Sequence, residues 1–441
     1  LWEEKGFIRM FYTFLDSEEG IDEASENCYL RKRNVKANVL LNGGGERALT
    51  NILHIGELIH KESIRNKLDI DSVVEVLNSN FLTQGPKVPL FEKFVTNYCN
   101  VKYGVAVNSA TSALHIACLA LGLGEGDWLW TSPNSFVASA NCGLYCGAKV
   151  DFIDIDLLTY NLSVVELERR LIQAKKEKKL PKIVIPVHFA GQSCDMREIH
   201  RLGKEYGFSI IEDASHAIGG QYLGNSIGGC QYSDITVFSF HPVKIITTAE
   251  GGLAVTNNID LFEKMQLLRS HGITRKSNLM TKPSEGRWYY QQVDLGFNYR
   301  MTELQAALGI SQIQRLDVFI KRRHTLQKRY DILFKNLSII KPYQGKDSYS
   351  ALHLYPILVD TDKVYKSRKQ IFSELRDGGI GVNVHYIPIH TQPYYKQFGF
   401  EENDFPNSVA YYDRAISIPL FHSMTQQQQD KVLIVLERVL E

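Results

Sequence analysis

Between Gly104 and Val255 the chain alternates short apolar runs with helical stretches, and that alternation limits it to very few folds. Strands are expected at Gly104–Val107, Trp128–Thr131, Val150–Ile153, Ile183–Val187, Phe208–Glu212, Ile235–Phe238 and Leu253–Val255. Helices are expected between several of them, at Ser135–Cys146, Val164–Lys175 and Met196–Tyr206. Runs that are apolar on both faces must be covered on both faces, so the pattern predicts a parallel sheet between helical layers. Two helices, Asp69–Leu77 and Leu90–Tyr98, precede the sheet, and a long helical stretch from Thr302 to about Phe334 leaves it. Beyond residue 340 the texture becomes α+β, with strands near Leu352–Val359 and Gly381–His385 and helices near Lys366–Gly378 and Gln426–Leu440.

At 441 residues the chain is long for one core, and two domains are expected. A formal net charge of +1 excludes a polyanion binder, since there is no basic excess to neutralise phosphates. No apolar run is long enough to span a bilayer, and the first residues lack a basic–apolar–small leader pattern, so a soluble cytoplasmic protein is expected. The seven scattered cysteines fit free thiols in a reducing compartment better than a disulfide framework. Cys142 and Cys146 have helical i, i+4 spacing but lack companion ligands, so they are read as small core residues rather than a metal site.

Residues 1–56 differ from the rest, with an acidic run at Asp16–Glu23, a basic cluster at Arg31–Arg33 and three glycines at Gly43–Gly45. The glycines lack the strand–turn–helix context of a phosphate loop, and a plain turn is the better reading. The segment is expected to be an extension or the tail of an upstream domain.

Three features of the alternating region carry chemistry. Asn108-Ser-Ala-Thr-Ser112 leads from a strand into a helix, leaving unpaired N–H groups at the positive end of a helix dipole. That is a seat for a phosphate, although on its own it is equally a Ser/Thr N-cap. Asp213 falls at the carboxyl end of a strand, where open α/β sheets collect ligands; alone, it would be read as a cap. Lys244 lies in Phe238-Ser-Phe-His-Pro-Val-Lys244, one strand further on, among apolar and small residues. A lysine so placed is costly unless solvated, paired or neutral, and a neutral amine is the nucleophile of a Schiff base. Lysine, carboxylate and phosphate seat together are the parts that pyridoxal phosphate requires. Phe136, after the strand Trp128–Thr131, is placed to stack on its ring, the plainer alternative being a core phenylalanine.

With these motifs in order, the sequence resembles the DegT/StrS-type sugar aminotransferases. The resemblance rests on Asn108–Ala113, Glu212-Asp-Ala-Ser-His-Ala217, Ser239-Phe-His-Pro-Val-Lys244 with Thr247-Thr-Ala-Glu-Gly-Gly252, and Gly296-Phe-Asn-Tyr-Arg-Met-Thr302. It covers about residues 57–441 and implies a pyridoxal-phosphate transferase of fold type I. The expected organisation is an extension at 1–56, a large domain at 57–335 with a mostly parallel seven-stranded sheet, and a small α+β domain at 336–441. The resemblance also implies residue roles. Lys244 would form the Schiff base, Asp213 would pair with the pyridinium, and His216 would lie near the cofactor's phenolic oxygen. Phe136 would stack on the ring, while Ala110, Thr111 and Ser239 would contact the phosphate. Asn298 would reach the phosphate of a neighbouring subunit, making the active unit a homodimer.

Phe81-Leu-Thr-Gln-Gly85, the run Phe240–Gly252 and Val384-His-Tyr-Ile-Pro-Ile389 resemble the branch that aminates UDP-linked 4-keto-6-deoxy sugars. In that branch Asn80, Phe81, Leu82 and Thr83, with His385, Tyr386, Ile387 and Pro388, would line the sugar-nucleotide pocket. L-glutamate would be the amino donor, leaving 2-oxoglutarate. His60 departs from the aromatic usual at that point, which bears on the first substrate contact, and residues 1–56 have no family counterpart. Retention of Lys244 disfavours the dehydratase branch, which has histidine there. The alternatives are another UDP-4-keto sugar, such as one of the 4-amino-4-deoxy-L-arabinose type, and a non-catalytic regulatory protein on the same fold.

Overall fold

The computed structural model describes residues 65–441. The segment 1–56, including Gly43–Gly45 and Arg31–Arg33, and His60 lie outside the described residues.

The alternating region forms one seven-stranded sheet. Its strands are β1 (Tyr103–Val107), β2 (Trp128–Thr131), β3 (Lys149–Phe152), β4 (Ile183–Ile185), β5 (Ser209–Asp213), β6 (Ile235–Ser239) and β7 (Gly252–Thr256). Their order is β1-β7-β6-β5-β4-β2-β3. β7 runs antiparallel to both neighbours, and every other pairing is parallel. The expected mostly parallel sheet is therefore present. Strands β6 and β7 are buried at every position, as a sheet covered on both faces demands.

Both free edges of this sheet are closed by an acid–arginine pair. At β3 the Asp151 carboxylate accepts the Phe152 N–H at 2.8 Å and pairs with Arg170 at 2.7 Å. At β1 Glu92 accepts the Ala106 N–H at 2.8 Å, while Arg269 donates to Glu92 at 2.6 Å and to the Ala106 carbonyl at 2.8 Å. Edge groups that would otherwise recruit a foreign strand are thus occupied.

Helices α1 (Lys67–Leu77) and α2 (Lys87–Cys99) precede the sheet, and α3 (Ala110–Ala120), α4 (Ala138–Tyr145), α5 (Val164–Glu177), α6 (Met196–Tyr206) and α7 (Ile259–Arg269) pack on it. The amphipathic α6 has the bounds its periodicity predicts. The stretch expected as one helix from Thr302 to Phe334 is two, α8 (Glu303–Ile313) and α9 (Leu316–Leu333). At the break, Arg315 turns to donate to both oxygens of the buried Asp69 on α1, at 2.6 Å each. That ion pair ties α1 to a position about 250 residues later.

The last hundred residues carry an antiparallel sheet of β8 (Ile339–Ile340), β9 (Tyr355–Val359) and β10 (Ala415–Ile418), in that order. Helices α10 (Arg368–Asp377), α11 (Pro406–Arg414) and α12 (Gln426–Leu440) accompany it. The strand expected at Gly381–His385 is not formed. Those residues make a single bridge, Asn383 with Ser417 of β10, while β9 pairs with β10 along its length. Among the described residues no helix is long and apolar enough to cross a membrane.

Candidate active site

Helix α3 starts at Ala110 because Ser109, in extended conformation, caps it. The Ser109 hydroxyl accepts the Ser112 N–H at 3.1 Å, and the Ser112 hydroxyl donates to Asn108 at 2.7 Å. The N–H groups of Ala110 and Thr111 have no such cap within the helix and face the mouth of the turn. β7 passes this helix start so closely that only glycine fits. A Cβ at Gly252 would lie 2.5 Å from the Ala110 nitrogen and from the Ser109 carbonyl carbon and oxygen. Thus the glycine that ends Thr247–Gly252 lets β7 pack against the first turn of α3.

Asp213 closes β5 and is buried. One carboxylate oxygen accepts from Ser139 on α4 at 2.7 Å, and the other accepts the Ser215 N–H at 3.1 Å. Ser135 stands 2.8 Å from Ser139. Since the Ser139 proton points to Asp213, Ser135 is the donor in that contact. Both donors to Asp213 are neutral, which leaves its charge to be balanced from the cleft side. Neither serine was singled out from sequence. Their spacing to each other, i and i+4, is the only signal, and it is common on helices.

The residue before Asp213 faces the opposite side of the sheet. Glu212 accepts from His188 Nε2 at 2.7 Å and from the hydroxyls of Ser233 and Thr236. The Cys194 N–H donates to His188 Nδ1, which puts the ring proton on Nε2, aimed at Glu212. Burial pushes the Glu212 carboxyl up, but the hydrogen bonds outweigh it and hold the group below its ordinary range. His188 also donates its backbone N–H to the Asp213 carbonyl at 3.0 Å, so this buried pair braces the strand end that presents Asp213.

Lys244 sits in the connection between β6 and β7, half-buried, with its N–H bonded to the His241 carbonyl at 2.9 Å. A cleft of about 280 Å³ unites the parts, being lined by Ser109, Ala110, Thr111, Phe136, Asp213, His216, Ser239, Lys244 and Tyr386. Phe136 is 59% exposed, so it is a wall of the cleft and not a core residue. His216 is buried, with Nε2 3.1 Å from the Tyr386 hydroxyl and Nδ1 buried without a partner. Burial, then the charge of Lys244, push the His216 imidazole well below its usual range, and the same two causes push His385 down to about 4. A larger cleft of about 830 Å³ follows the outer edge of β3 past Phe398 and Phe405, but none of these site residues lines it.

Asn80, Phe81, Leu82, Thr83, His385, Ile387 and Pro388 do not line the cleft of Lys244. The loop 80–83 is tied to the start of α8, where Glu303 N–H donates to the Leu82 carbonyl and Thr83 bridges Thr302. Phe81, Leu82 and Ile387 are exposed, and His385 Nδ1 contacts the Ser417 hydroxyl at 2.9 Å. Asn298 is exposed beside the phosphate seat of its own chain, where its carbonyl accepts from Asn108 at 3.5 Å. Cys142 is a buried core residue and Cys146 packs against the same core, while the described residues form no cluster suited to a metal ion.

The cleft fits pyridoxal phosphate. It is lined by the uncapped start of α3, by Thr111 and Ser239 with their hydroxyls, and by a buried carboxylate held by two neutral donors. A lysine and an unpartnered imidazole nitrogen complete the set.

These features suit a pyridoxal-phosphate enzyme. The sequence between residues 63 and 437 matches the DegT/DnrJ/EryC1/StrS aminotransferase family, and the chain belongs to that family. It is 40% identical over 370 residues to the spore coat polysaccharide biosynthesis protein SpsC of Bacillus subtilis, covering 83% of this chain and 93% of the relative. It is 39% identical over 376 residues to the UDP-4-amino-4,6-dideoxy-N-acetyl-beta-L-altrosamine transaminase of Campylobacter jejuni, covering 84% and 95%. Among solved structures it resembles Helicobacter pylori PseC, an aminotransferase involved in the biosynthesis of pseudoaminic acid. The TM-score is 0.79 at 32% identity, covering 86% of this chain and 98% of that one. The PMP form of the sugar aminotransferase Spr1654 from Streptococcus pneumoniae gives 0.78 at 30% identity, covering 86% and 99%, and a PLP form of that protein also matches. The fold is that of the pyridoxal-phosphate aminotransferases, and pyridoxal phosphate is the cofactor.

Proposed function

We propose that this sugar aminotransferase moves the amino group of L-glutamate onto the C4 ketone of a UDP-linked 4-keto-6-deoxy hexose. The product would be UDP-4-amino-4,6-dideoxy-N-acetyl-β-L-altrosamine, on a route to pseudaminic acid. The observation that carries the reading is Lys244, retained in one cleft with Asp213 and the N-terminus of α3. The similarity to the Campylobacter transaminase and to PseC supports the choice of sugar.

Bound pyridoxal phosphate supplies an electron sink that stabilises negative charge at the carbon bearing the nitrogen. The protein's residues do the rest. The Ala110 and Thr111 N–H groups, with the hydroxyls of Thr111 and Ser239, would hold the phosphate at the positive end of α3. Asp213 would keep the ring nitrogen protonated, with Ser139 and the Ser215 N–H fixing its carboxylate. Phe136 would cover one ring face. His216 would meet the phenolic oxygen as a neutral imidazole. Lys244 would anchor the cofactor and, as a free amine, would take up and return a proton at the amino carbon of the donor. Donor and sugar use the cleft in turn, so ping-pong kinetics is expected.

In this reading Asn80–Thr83 and His385–Pro388 bind the sugar nucleotide, residues 57–335 and 336–441 act as large and small domains, and the active unit is a homodimer. Support for the dimer comes from the exposed apolar side chains of Trp288, Tyr290 and Leu295 near Asn298, which would reach the neighbouring subunit's phosphate. The free thiols among the described residues agree with a cytoplasmic setting.

The test is incubation of the purified, cofactor-loaded chain with glutamate and UDP-4-keto-6-deoxy-N-acetyl-β-L-altrosamine, with NMR of the product. Formation of the 4-amino sugar, lost in Lys244→Ala, is expected. Turnover only with a different UDP-4-keto sugar would reassign the substrate, and an active Lys244→Ala would reject the mechanism. Yellow protein that accepts no amino donor would favour a regulatory protein.

A further inference from the structure

His353 stands apart from every motif discussed so far, yet its ring lies against that of His216, with centroids 4.5 Å apart and planes 43° from parallel. Both rings are buried, and the Nδ1 of each is a buried atom without a hydrogen-bond partner.

The backbone goes to some length to hold His353 there. Its N–H donates to the Ala190 carbonyl at 2.9 Å, and its carbonyl accepts from the fully buried Arg323 at 3.2 Å. Arg323 also donates to the Leu352 carbonyl at 3.0 Å. Leu352 and Ala190 both adopt left-handed backbone, φ 50° and 57°, which costs a residue with a side chain about 1 kcal/mol or more. Gly191, φ 101°, lets the two segments meet, since a Cβ there would lie 2.8 Å from the Leu352 nitrogen, 2.9 Å from the His216 carbonyl oxygen and 3.0 Å from the His353 nitrogen. Strain concentrated at one contact points to a contact that matters.

We propose that His353 is a positioning residue of the active site. Its imidazole fixes the plane of His216 against Tyr386, so that the buried ring faces the cofactor in one orientation. Around His216 the groups that oppose a positive charge are Lys244 and His385, with His353 stacked on it and the Tyr386 phenol on its Nε2. Around His353 they are His216, Lys244, Arg323 and His385. The nearest carboxylate influence is that of Asp213, which acts on Tyr386 and, after burial, helps keep that phenol protonated. Burial first, and Lys244 after it, keep both imidazoles neutral. The phenol and His216 then share a single hydrogen bond.

The inference rests on the proposed role of His216, but its first test does not. In the chain without cofactor, labelled with ¹⁵N-histidine, NMR should show His216 neutral across pH 5–8 in the wild type. His353→Phe keeps a flat ring in the same place. His216 should then stay neutral, since burial is the larger cause, and keep its Tyr386 contact. His353→Ala should free the His216 ring, seen as loss of its fixed Nε2 environment. With cofactor bound, His353→Ala should shift the cofactor's absorption and lower kcat on the order of tenfold, the worth of one oriented hydrogen bond, with KM for the amino donor little changed, and His353→Phe should recover most of both. If His216 keeps its wild-type Nε2 environment in His353→Ala, or if only melting temperature falls, the proposal is overturned. An inactive enzyme toward every keto sugar would leave the NMR outcome standing and reject only the reading of function.

Discussion

Ser139 Oγ lies 2.7 Å from Asp213 Oδ2, and this short bond joins helix α4 to the end of strand β5. A hydroxyl donating to a buried carboxylate is worth about 1.5–3 kcal/mol, and its loss removes one of the two hydrogen bonds that fix Asp213. Ser139→Ala should therefore weaken cofactor retention roughly ten- to a hundredfold while the fold survives. Release of the cofactor on dialysis, followed by absorption, measures it. Unchanged retention would mean that Ser139 is only a packing residue.

Gly252 gives a second expectation. With a Cβ placed 2.5 Å from the Ala110 nitrogen, Gly252→Ala must push β7 and the start of α3 apart. Overpacking of this kind costs about 1–3 kcal/mol. Because the strain falls on the phosphate seat, affinity for the cofactor should drop more than affinity for the phosphate-free aldehyde pyridoxal. Comparison of the two by fluorescence titration is the check.

The Glu212–His188 pair braces Asp213 from the other face of the sheet. His188→Ala removes the Nε2–H donor from a buried carboxylate and leaves a cavity as well, a combined loss of roughly 3–5 kcal/mol. Urea unfolding should show this large loss. His188→Gln, which retains an N–H donor, should recover a good part of it.

Stability should fall in acid in two stages. His385 binds its proton less readily folded than unfolded, so the stability it contributes is complete above about 6.5, its unfolded value, and declines as pH drops toward about 4. His216 and His353 are shifted in the same direction and add to that stage. Glu212 is depressed below the ordinary carboxyl value near 4.5, so its contribution persists until pH falls below that value and is lost further down. Each tenfold change in proton affinity is worth roughly 1.4 kcal/mol. Urea midpoints between pH 8 and 4 should fall below about 6.5, and the fall should be shallower in His385→Asn. A flat profile over that range would contradict the burial of these histidines.

The sheet was legible because its signal is strong. Strands apolar on both faces, such as Ile235–Ser239, leave few alternatives, and α6 and α12 announce themselves by their amphipathic period. The parts that escaped depend on contacts distant in sequence. The break before α9 serves Asp69, about 250 residues away, and nothing local marks Arg315 as its partner. Residues 381–385 look like a strand, but they meet β10 only at the single bridge of Asn383 with Ser417. The same division holds in the site. Lys244, Asp213 and the N-terminus of α3 carry chemical types that stand out, whereas Ser139 and His353 matter only through the groups they touch, and their sequence surroundings are ordinary.

The antiparallel course of β7 has a consequence for Lys244. Because β6 and β7 are direct neighbours, the connection that bears the lysine is moored to the sheet at both ends, at Ser239 and Gly252. A residue asked to let go of its partner and later seize it again must not drift in between. In the proposed role of Lys244, two anchor points would keep the amine by the cleft it shares with Asp213, and its return would be an intramolecular encounter. A proton lifted from one face of the substrate would then come back from the same side, and the mooring of the loop would also be the source of the reaction's handedness.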